Sequence, residues 1–512
     1  MRKPDKLADK LENNPDLVPA EWTIMIYMAG DNNLAEDCVN ALLALKKIET
    51  NDKIHVIVQF DPGDPRVSTR RLVINRSSKT NKIPPLVTNL LGSLDEDRIR
   101  LERGAIRFGE TNHERVEVPH DEGVFETNTA NPETLFDFIS WSSQHFPADR
   151  YMLILAGHSA GVEAGFLLKD EHPAEAMELE GLKTVFKVMA EKLKIKLEIL
   201  GMDSCLMSMV EVCLELEGYV NLLVGSQSMT PNPGWPYADI IEFMKAREGH
   251  VEAEELAPEI VRSYISSYVD QAINSGTSTD LAALRMESAK VVAAKVRDLA
   301  NALITSLEDS TLLCVFKRAL VLAHWEAQSF NGELFVDLSD FCDLLVEHLA
   351  TASTGTEDSG GLAAAIERVK NCCAAVKKAI GEMVLESCFC GIDFQYSNGV
   401  SIYFPWSTIF FDYLKLEFAL ERGANWGNFL RSYINGTRRR PRGNGDANLD
   451  TGDLDTAFRV EVDSDVSTRR VEPLSHGPSG LAHSMRNPPR RLAKHTIKGL
   501  FHSQKHLEAG HH

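Results

Sequence analysis

Two side chains with the chemistry of a base and a nucleophile follow neighbouring predicted strands. The apolar segment Tyr151–Ala156 is typical of a buried strand, and His158 follows it. Leu197–Met202 has the same character, and Cys205 follows it. Because neighbouring parallel strands end at one edge of a sheet, we expect the imidazole and the thiol to lie close together. Such a pair could form a nucleophilic thiolate, although a buried structural cysteine beside a loop histidine fits the same spacing.

Ser159 offers a competing nucleophile at the same strand end. Gly157–Gly161 reads G-x-S-x-G after a predicted strand, which is the pattern of the nucleophile elbow in serine esterases and lipases. An HGGG-type oxyanion motif does not precede it, and the downstream histidines His250 and His324 lie in helical patterns. The local sequence therefore leaves the cysteine and serine hypotheses both open.

The residues around Cys205 suggest how its reactivity and specificity would be set. A helix predicted over Leu206–Glu217 would place its N-terminus beside the thiol and lower the thiol pKa. Asp203 lies two residues earlier in an extended segment, so its carboxylate is expected to face the same cleft. A carboxylate there suits a guanidinium, which it binds through two parallel hydrogen bonds. Capping of the following helix is the alternative role for Asp203.

The elements that position these residues predict an α/β fold. Apolar strands alternate with amphipathic helices, which indicates a mainly parallel sheet with helices on both faces. We expect the chain to divide into a leader at 1–20, a catalytic domain at 21–245 with an insertion at 76–130, a C-terminal helical and α+β extension with a late strand at 246–435, and a disordered tail at 436–512.

Composition excludes several functions. The formal net charge of −20 predicts that the protein does not bind nucleic acid. A continuous apolar stretch of about 18 residues is missing, which predicts no membrane span. Met1–Glu21 lacks the apolar core of a signal peptide, and the nine cysteines are typical of reduced thiols, so we expect a cytoplasmic protein. No metal site is predicted, because Asp446–Asp450 begins like a calcium loop but lacks its glycine and its final glutamate.

Short segments from about Glu21 to Tyr433 decide between the cysteine and serine hypotheses by their order and spacing. They are Trp22–Leu34, Phe146–Tyr151, Met202–Met207, Gly225–Gln227, Pro233–Tyr237, Ser401–Pro405 and Trp426–Leu430. In these segments the chain resembles the clostripain-like cysteine peptidases, a family related to caspases, gingipains and legumain. The resemblance implies a caspase-like sheet, a dyad of His158 and Cys205, and a thioacyl intermediate.

The resemblance also implies the substrates and the other site residues. It implies cleavage of proteins or peptides after Arg or Lys, with Asp203 at the family's acidic position before the cysteine. It implies an oxyanion hole formed by the backbone N–H groups of Ser159 and Cys205. The chemistry needs no cofactor, although several relatives depend on calcium and cut themselves; Lys169 is our predicted site of self-cleavage.

One position departs from the family pattern. The family usually has glycine directly after the histidine, and this chain has Ser159. Glycine reaches a positive φ freely and serine does not, so the oxyanion geometry depends on the backbone conformation there. A non-catalytic caspase-like interaction module is therefore a third hypothesis beside the cysteine peptidase and the serine esterase.

Overall fold

The computed structural model of the 512-residue chain describes residues 19–62, 69–74, 127–162, 167–172, 174–352, 360–437 and 501–503. The predicted leader lies outside these residues except for 19 and 20. The predicted insertion lies outside them except for its last four residues, and the predicted tail except for 436, 437 and 501–503.

Fourteen strands are present in the described residues. They are β1 (Ala20–Gly30), β2 (Ile54–Pro62), β3 (Arg70–Ile74), β4 (Ala148–Ala156), β5 (Leu167–Glu171), β6 (Ala174–Met177), β7 (Leu197–Asp203), β8 (Val220–Gly225), β9 (Thr279–Arg285), β10 (Ser329–Phe330), β11 (Phe335–Asp337), β12 (Val384–Cys390), β13 (Ser401–Tyr403) and β14 (Phe501–Ser503).

Nine of these strands form one sheet in the order β14-β12-β9-β8-β7-β4-β1-β2-β3. The five central strands β8, β7, β4, β1 and β2 run parallel to one another. The outer strands pair antiparallel with their neighbours. The predicted α/β class with a mainly parallel sheet is confirmed. Two smaller sheets, β10-β11-β13 and β5-β6, lie outside it.

The described residues contain eleven α-helices. They are α1 (Ala35–Leu45), α2 (Pro132–His145), α3 (Leu179–Lys192), α4 (Val210–Leu216), α5 (Tyr237–Lys245), α6 (Ala253–Ser275), α7 (Ala289–Glu308), α8 (Leu313–Glu326), α9 (Leu338–Ala352), α10 (Gly360–Met383) and α11 (Trp426–Thr437).

The helices cover both faces of the large sheet because side chains alternate between the faces along each strand. In β1, Ile24 and Ile26 pack in a buried cluster with apolar side chains of α1, α5 and α6. Met25 and Tyr27 pack in the opposite cluster with α2 and α3, which extends to α7 and α11. Burial on both faces explains why the central strands are nearly continuous apolar runs.

The segment predicted as a C-terminal extension is built into the same sheet. Its strands β9 and β12 continue the sheet beyond β8. The predicted late strand corresponds to β13, which belongs to a small sheet with β11. Within the predicted tail, β14 adds three residues to the sheet edge beside β12. Residues after 245 therefore complete the sheet rather than append a separate layer.

Candidate active site

The pairing of β4 with β7 determines where the two reactive side chains leave the sheet. Ala156 at the end of β4 lies opposite Asp203 at the end of β7. The N–H of Gly157 continues the ladder by donating to the Asp203 carbonyl oxygen at 3.3 Å. His158 and Cys205 each follow two residues beyond this pair, at the carboxyl edge of adjacent parallel strands.

Both side chains line one cavity of about 240 Å³. Its wall is formed by the start of α1, the ends of β4 and β7, and the loop before α5. The lining residues are Met28, Leu34, Asp37, Cys38, Ala41, Ala156, Gly157, His158, Asp203, Ser204, Cys205, Met229, Thr230, Pro231, Asn232, Pro233, Gly234 and Tyr237. The sequence-based expectation that His158, Asp203 and Cys205 face one cleft agrees with this lining.

Cys205 lies in a turn rather than at a helix start. Helix α4 begins only at Val210, and Leu206 turns the chain with a φ of 61°. The prediction that a helix N-terminus lowers the thiol pKa is therefore wrong. Burial raises the pKa of Cys205, and the Asp203 carboxylate adds to that effect. The N–H of Thr230, 3.3 Å from Sγ, opposes the rise in pKa by donating to the sulfur.

His158 is half-buried and is oriented by an amide from the loop before α1. Its Nε2 lies 2.7 Å from Oδ1 of Asn33. Because an amide oxygen only accepts, Nε2 carries the hydrogen and Nδ1 keeps the lone pair that a base needs. Burial lowers the pKa of His158; Lys169 adds to this and Glu171 opposes it.

Asp203 is a buried carboxylate with one oxygen satisfied. Oδ2 accepts hydrogen bonds from the N–H of Trp235, at 3.1 Å, and from the Tyr237 hydroxyl. Oδ1 has no hydrogen-bond partner among the described residues, and the side chain is 8% exposed. Burial raises the pKa of Asp203 to about 6, against the two donors, which lower it. The alternative role as a cap for the following helix does not fit, because α4 starts seven residues later.

Ser159 lacks the features of a serine nucleophile. Its side chain is buried, and its hydroxyl donates to the Cys205 carbonyl oxygen. A turn at residues 161 and 162 follows it, and no helix begins directly after Ser159 as it would in a nucleophile elbow. The φ of Ser159 is not positive, so this position does not require glycine and serine occupies it without backbone strain. Within the described residues, the N–H groups of Ser159 and Cys205 donate to no other group.

The loop that carries Thr230 is held by residues that sequence reasoning did not single out. The Asp280 carboxylate in β9 accepts from the N–H groups of Gln227 and Ser228, at 2.9 and 3.0 Å. The Gln227 amide donates to Asp337 at 3.0 Å and accepts from Gly399 N–H at 2.7 Å. In the sequence, Gln227 lies within the segment Gly225–Gln227 and Asn33 within Trp22–Leu34, two of the segments that carry the family resemblance.

The segment after Lys169 is the end of a hairpin strand rather than the expected loop, although Glu171 and His172 are exposed as expected. Residues 169–171 belong to β5, which pairs with β6. The Lys169 carbonyl oxygen accepts from Asn32 Nδ2 at 2.8 Å, and Asp170 is fully buried. Thr129 donates to the Asp170 carboxylate through both its N–H and its hydroxyl. Hydrogen bonds therefore hold both Lys169 and Asp170, so the peptide bond between them is not the free backbone that a peptidase needs.

Metal ligands are not clustered in the part of the chain that the structure describes. No group of three or more His, Cys, Asp or Glu residues there could hold a metal ion. The calcium-loop-like segment Asp446–Asp450 lies outside the described residues. The helices among the described residues also include none with the length and apolarity needed to cross a membrane.

A thiol and an imidazole at adjacent strand ends of a mainly parallel sheet are the arrangement expected of a cysteine peptidase with a caspase-like fold. Comparison with known proteins identifies the family. Residues 26–430 match the sequence profile of the clostripain family, and the chain belongs to that family of C11 cysteine peptidases.

Individual relatives are distant. Clostripain of Hathewaya histolytica is 24% identical over 250 residues, which cover 46% of this chain and 44% of clostripain. The match thus spans less than half the length of that curated relative. A secreted C11 cysteine protease of Bacteroides thetaiotaomicron, solved with an irreversible peptide inhibitor, has a TM-score of 0.53 at 14% identity, covering 80% of this chain and all of that one. A second structure of a secreted C11 protease from that organism has a TM-score of 0.51 at 13% identity, covering 76% and 94%.

These relatives correct one expectation. The cytoplasmic location inferred from Met1–Glu21 and the cysteines is wrong by comparison with the matched C11 proteases of Bacteroides thetaiotaomicron, which are secreted. The physical reason is that a folded protein shields buried thiols from oxidants, so free cysteines persist in either compartment and do not indicate which one holds the protein. All nine cysteines are free, and six of them are buried.

Proposed function

We propose that this protein is an endopeptidase that cleaves proteins or peptides after Arg or Lys, with Cys205 as the nucleophile and His158 as the base. The observation that carries the proposal is the opening of both side chains into one cavity from adjacent parallel strand ends. The orphaned, buried oxygen of Asp203 in the same cavity supports the preference for a cationic side chain.

In the acylation step, the Cys205 sulfur attacks the scissile carbonyl carbon and the thiol proton passes to Nδ1 of His158. The negative charge on the carbonyl oxygen is stabilised by the N–H groups of Ser159 and Cys205. The C–N bond then breaks, and His158 returns the proton to the leaving amine. In the second step, His158 takes a proton from water as the water oxygen attacks the thioester carbon. The S–C bond then breaks to release the acid, and His158 returns the proton to the Cys205 sulfur, which restores the neutral thiol and imidazole.

In this general-base route, the Cys205 thiol and the His158 imidazole are both neutral before substrate binds. Burial raises the pKa of the thiol and lowers that of the imidazole, so a thiolate–imidazolium pair is disfavoured before substrate binds. Proton transfer to His158 then accompanies attack on the carbonyl.

The identity of the nucleophile is tested by substitution on a peptide substrate with arginine before the cut. Cys205→Ala should lower kcat by about 10⁴-fold or more, because nothing else can form the covalent intermediate. Ser159→Ala should keep activity within about tenfold, since only a hydrogen bond to the Cys205 carbonyl is lost. An arginyl chloromethyl ketone should attach to Cys205. An active Cys205→Ala enzyme, or a fluorophosphonate attached to Ser159, would instead establish the serine hypothesis; reaction with neither reagent would favour a non-catalytic module.

A further inference from the structure

Helix α1 presents a carboxylate to the cavity in the middle of an apolar stripe. Leu34, Asp37, Cys38 and Ala41 all line the cavity, with the spacing i, i+3, i+4 and i+7 of one helix face. Asp37 is half-buried, and no hydrogen bond or ion pair engages its carboxylate within the described residues. An acidic residue on such a face is costly unless something offsets its charge.

Asp203 is the second carboxylate in this cavity. Only 8% of this residue is exposed, and its Oδ1 has no hydrogen-bond partner among the described residues. Both carboxylates lie near the same neighbours, since each raises the pKa of Cys38 and of Tyr268. The lining includes no lysine or arginine. Two carboxylates without a protein cation leave the cavity with an uncompensated negative field.

The remaining lining fits the stem of a long cationic side chain. Met28, Leu34 and Ala156 offer apolar contacts to methylene groups, and the two carboxylates offer acceptors for the charged end. A planar guanidinium has five N–H donors and can bind two acceptors at once. A lysine ammonium is a compact charge with three donors and gains less from the second carboxylate.

We propose that Asp37 is a second specificity-determining residue, which together with Asp203 binds the guanidinium of an arginine before the scissile bond and so favours arginine over lysine. The inference rests on the proposed peptidase function and adds a residue from α1 to the site. Asp203 supplies the buried acceptor at the strand end, and Asp37 supplies the second acceptor across the cavity.

The test uses the full chain and three peptides that differ only in the residue before the cut: arginine, lysine and citrulline. Citrulline keeps the shape of arginine and removes its charge. Asp37→Asn should lower kcat/KM for the arginine peptide about tenfold or more, mainly through KM. It should leave citrulline turnover nearly unchanged, which also shows that the variant folds. The ratio of arginine to lysine cleavage should fall.

Glu36→Gln is the matched control. Glu36 precedes Asp37 on the same helix, carries the same charge and is exposed outside the cavity lining. This variant should keep the wild-type arginine to lysine and arginine to citrulline ratios. Ratios for Asp37→Asn that equal those of Glu36→Gln would overturn the role of Asp37 while leaving the peptidase function intact. A wild-type protein that cleaves none of the peptides would overturn both proposals.

Discussion

Asn33 is the residue that contacts the imidazole of His158, the proposed base. Because its Oδ1 accepts from Nε2, the lone pair of the ring lies on Nδ1, the proton acceptor of the proposed mechanism. The amide lies just before α1, so the loop between β1 and α1 reaches the base while α1 itself lines the cavity. Asn33 is therefore expected to act as a positioning residue, through His158 rather than through substrate.

Removing the Asn33 amide should affect kcat more than KM. Asn33→Ala leaves the imidazole free to rotate and to change tautomer, so we expect kcat to fall about tenfold with KM nearly constant. Asn33→Asp keeps an acceptor and should restore most of kcat, with the acidic limb of the pH profile shifted upward because a carboxylate stabilises imidazolium.

Asn40→Ala, an exposed substitution on α1, is the control and should match the wild type. Steady-state kinetics across pH on one arginine peptide separate the outcomes. Equal losses in Asn33→Ala and Asn33→Asp, without a shift in the pH profile, would show that Asn33 does not orient the base.

At the scale of elements, the segment between the two reactive residues determines where self-cleavage is feasible. The backbones of strand β5 and helix α3 are hydrogen-bonded, so the peptide bonds after their lysines are protected from cleavage. The connection from α3 to β7, residues 193–196, is open and holds exposed Lys194 and Lys196. Strand β7 separates this connection from the catalytic edge by seven residues, or about 20 Å.

We therefore expect any self-cleavage between His158 and Cys205 to follow Lys194 or Lys196 and to be intermolecular. Mass spectrometry of the purified wild type should show these cuts, and Cys205→Ala alone should remain intact. Wild-type enzyme added to Cys205→Ala should cut the inactive chain at the same bonds, whereas a Lys194→Ala/Lys196→Ala double variant should resist. A cut after Lys169, or a cleavage rate independent of protein concentration, contradicts this assignment.

At the scale of the whole molecule, buried polar groups join the two halves of the chain. Glu211 in α4 is fully buried, and its Oε1 accepts from the N–H of Tyr403 and the hydroxyl of Tyr413, at 2.9 and 3.1 Å. Its Oε2 has no partner among the described residues. Burial raises the pKa of Glu211 from 4.5 to about 7. Glu211 thus binds residues after 245, and Asp280 and Asp337 from that part of the chain hold the loop beside Cys205. The structure of the site edge therefore depends on residues after 245.

The raised pKa of Glu211 predicts a stability that decreases with pH. The folded state binds a proton more tightly than the unfolded state, so this contribution is complete below pH 4.5 and is lost as pH rises through 7. Glu211→Gln keeps the carbonyl acceptor and removes the ionisation. Its free energy of unfolding should equal that of the wild type near pH 4.5 and exceed it at pH 8 by up to about 3 kcal/mol.

Denaturant unfolding at a series of pH values measures this difference. Glu180→Gln, at an exposed position on α3, should show no pH-dependent difference from the wild type. A constant difference between Glu211→Gln and the wild type from pH 5 to pH 8 would mean that Glu211 does not titrate on unfolding.

Local patterns in the chain were enough to predict the parallel sheet and to place His158, Asp203 and Cys205 at its edge. These follow from local apolar runs and from the rule that consecutive strands of an α/β fold end together, which needs no long-range information. The order of short segments also indicated the family, now confirmed by the match to residues 26–430.

The surroundings of those residues could not be predicted in the same way, because they depend on the packing of the folded chain. The turn at Leu206 replaced the expected helix start, because the chain there is held by β-type contacts to Ser226 and Ser228 from the next loop. The partners of His158 and Cys205, Asn33 and Thr230, come from loops that are distant in sequence. Asp37 reads as an ordinary helical surface residue until packing turns its face toward the cavity. Such contacts depend on how separate elements pack, and no local pattern encodes them.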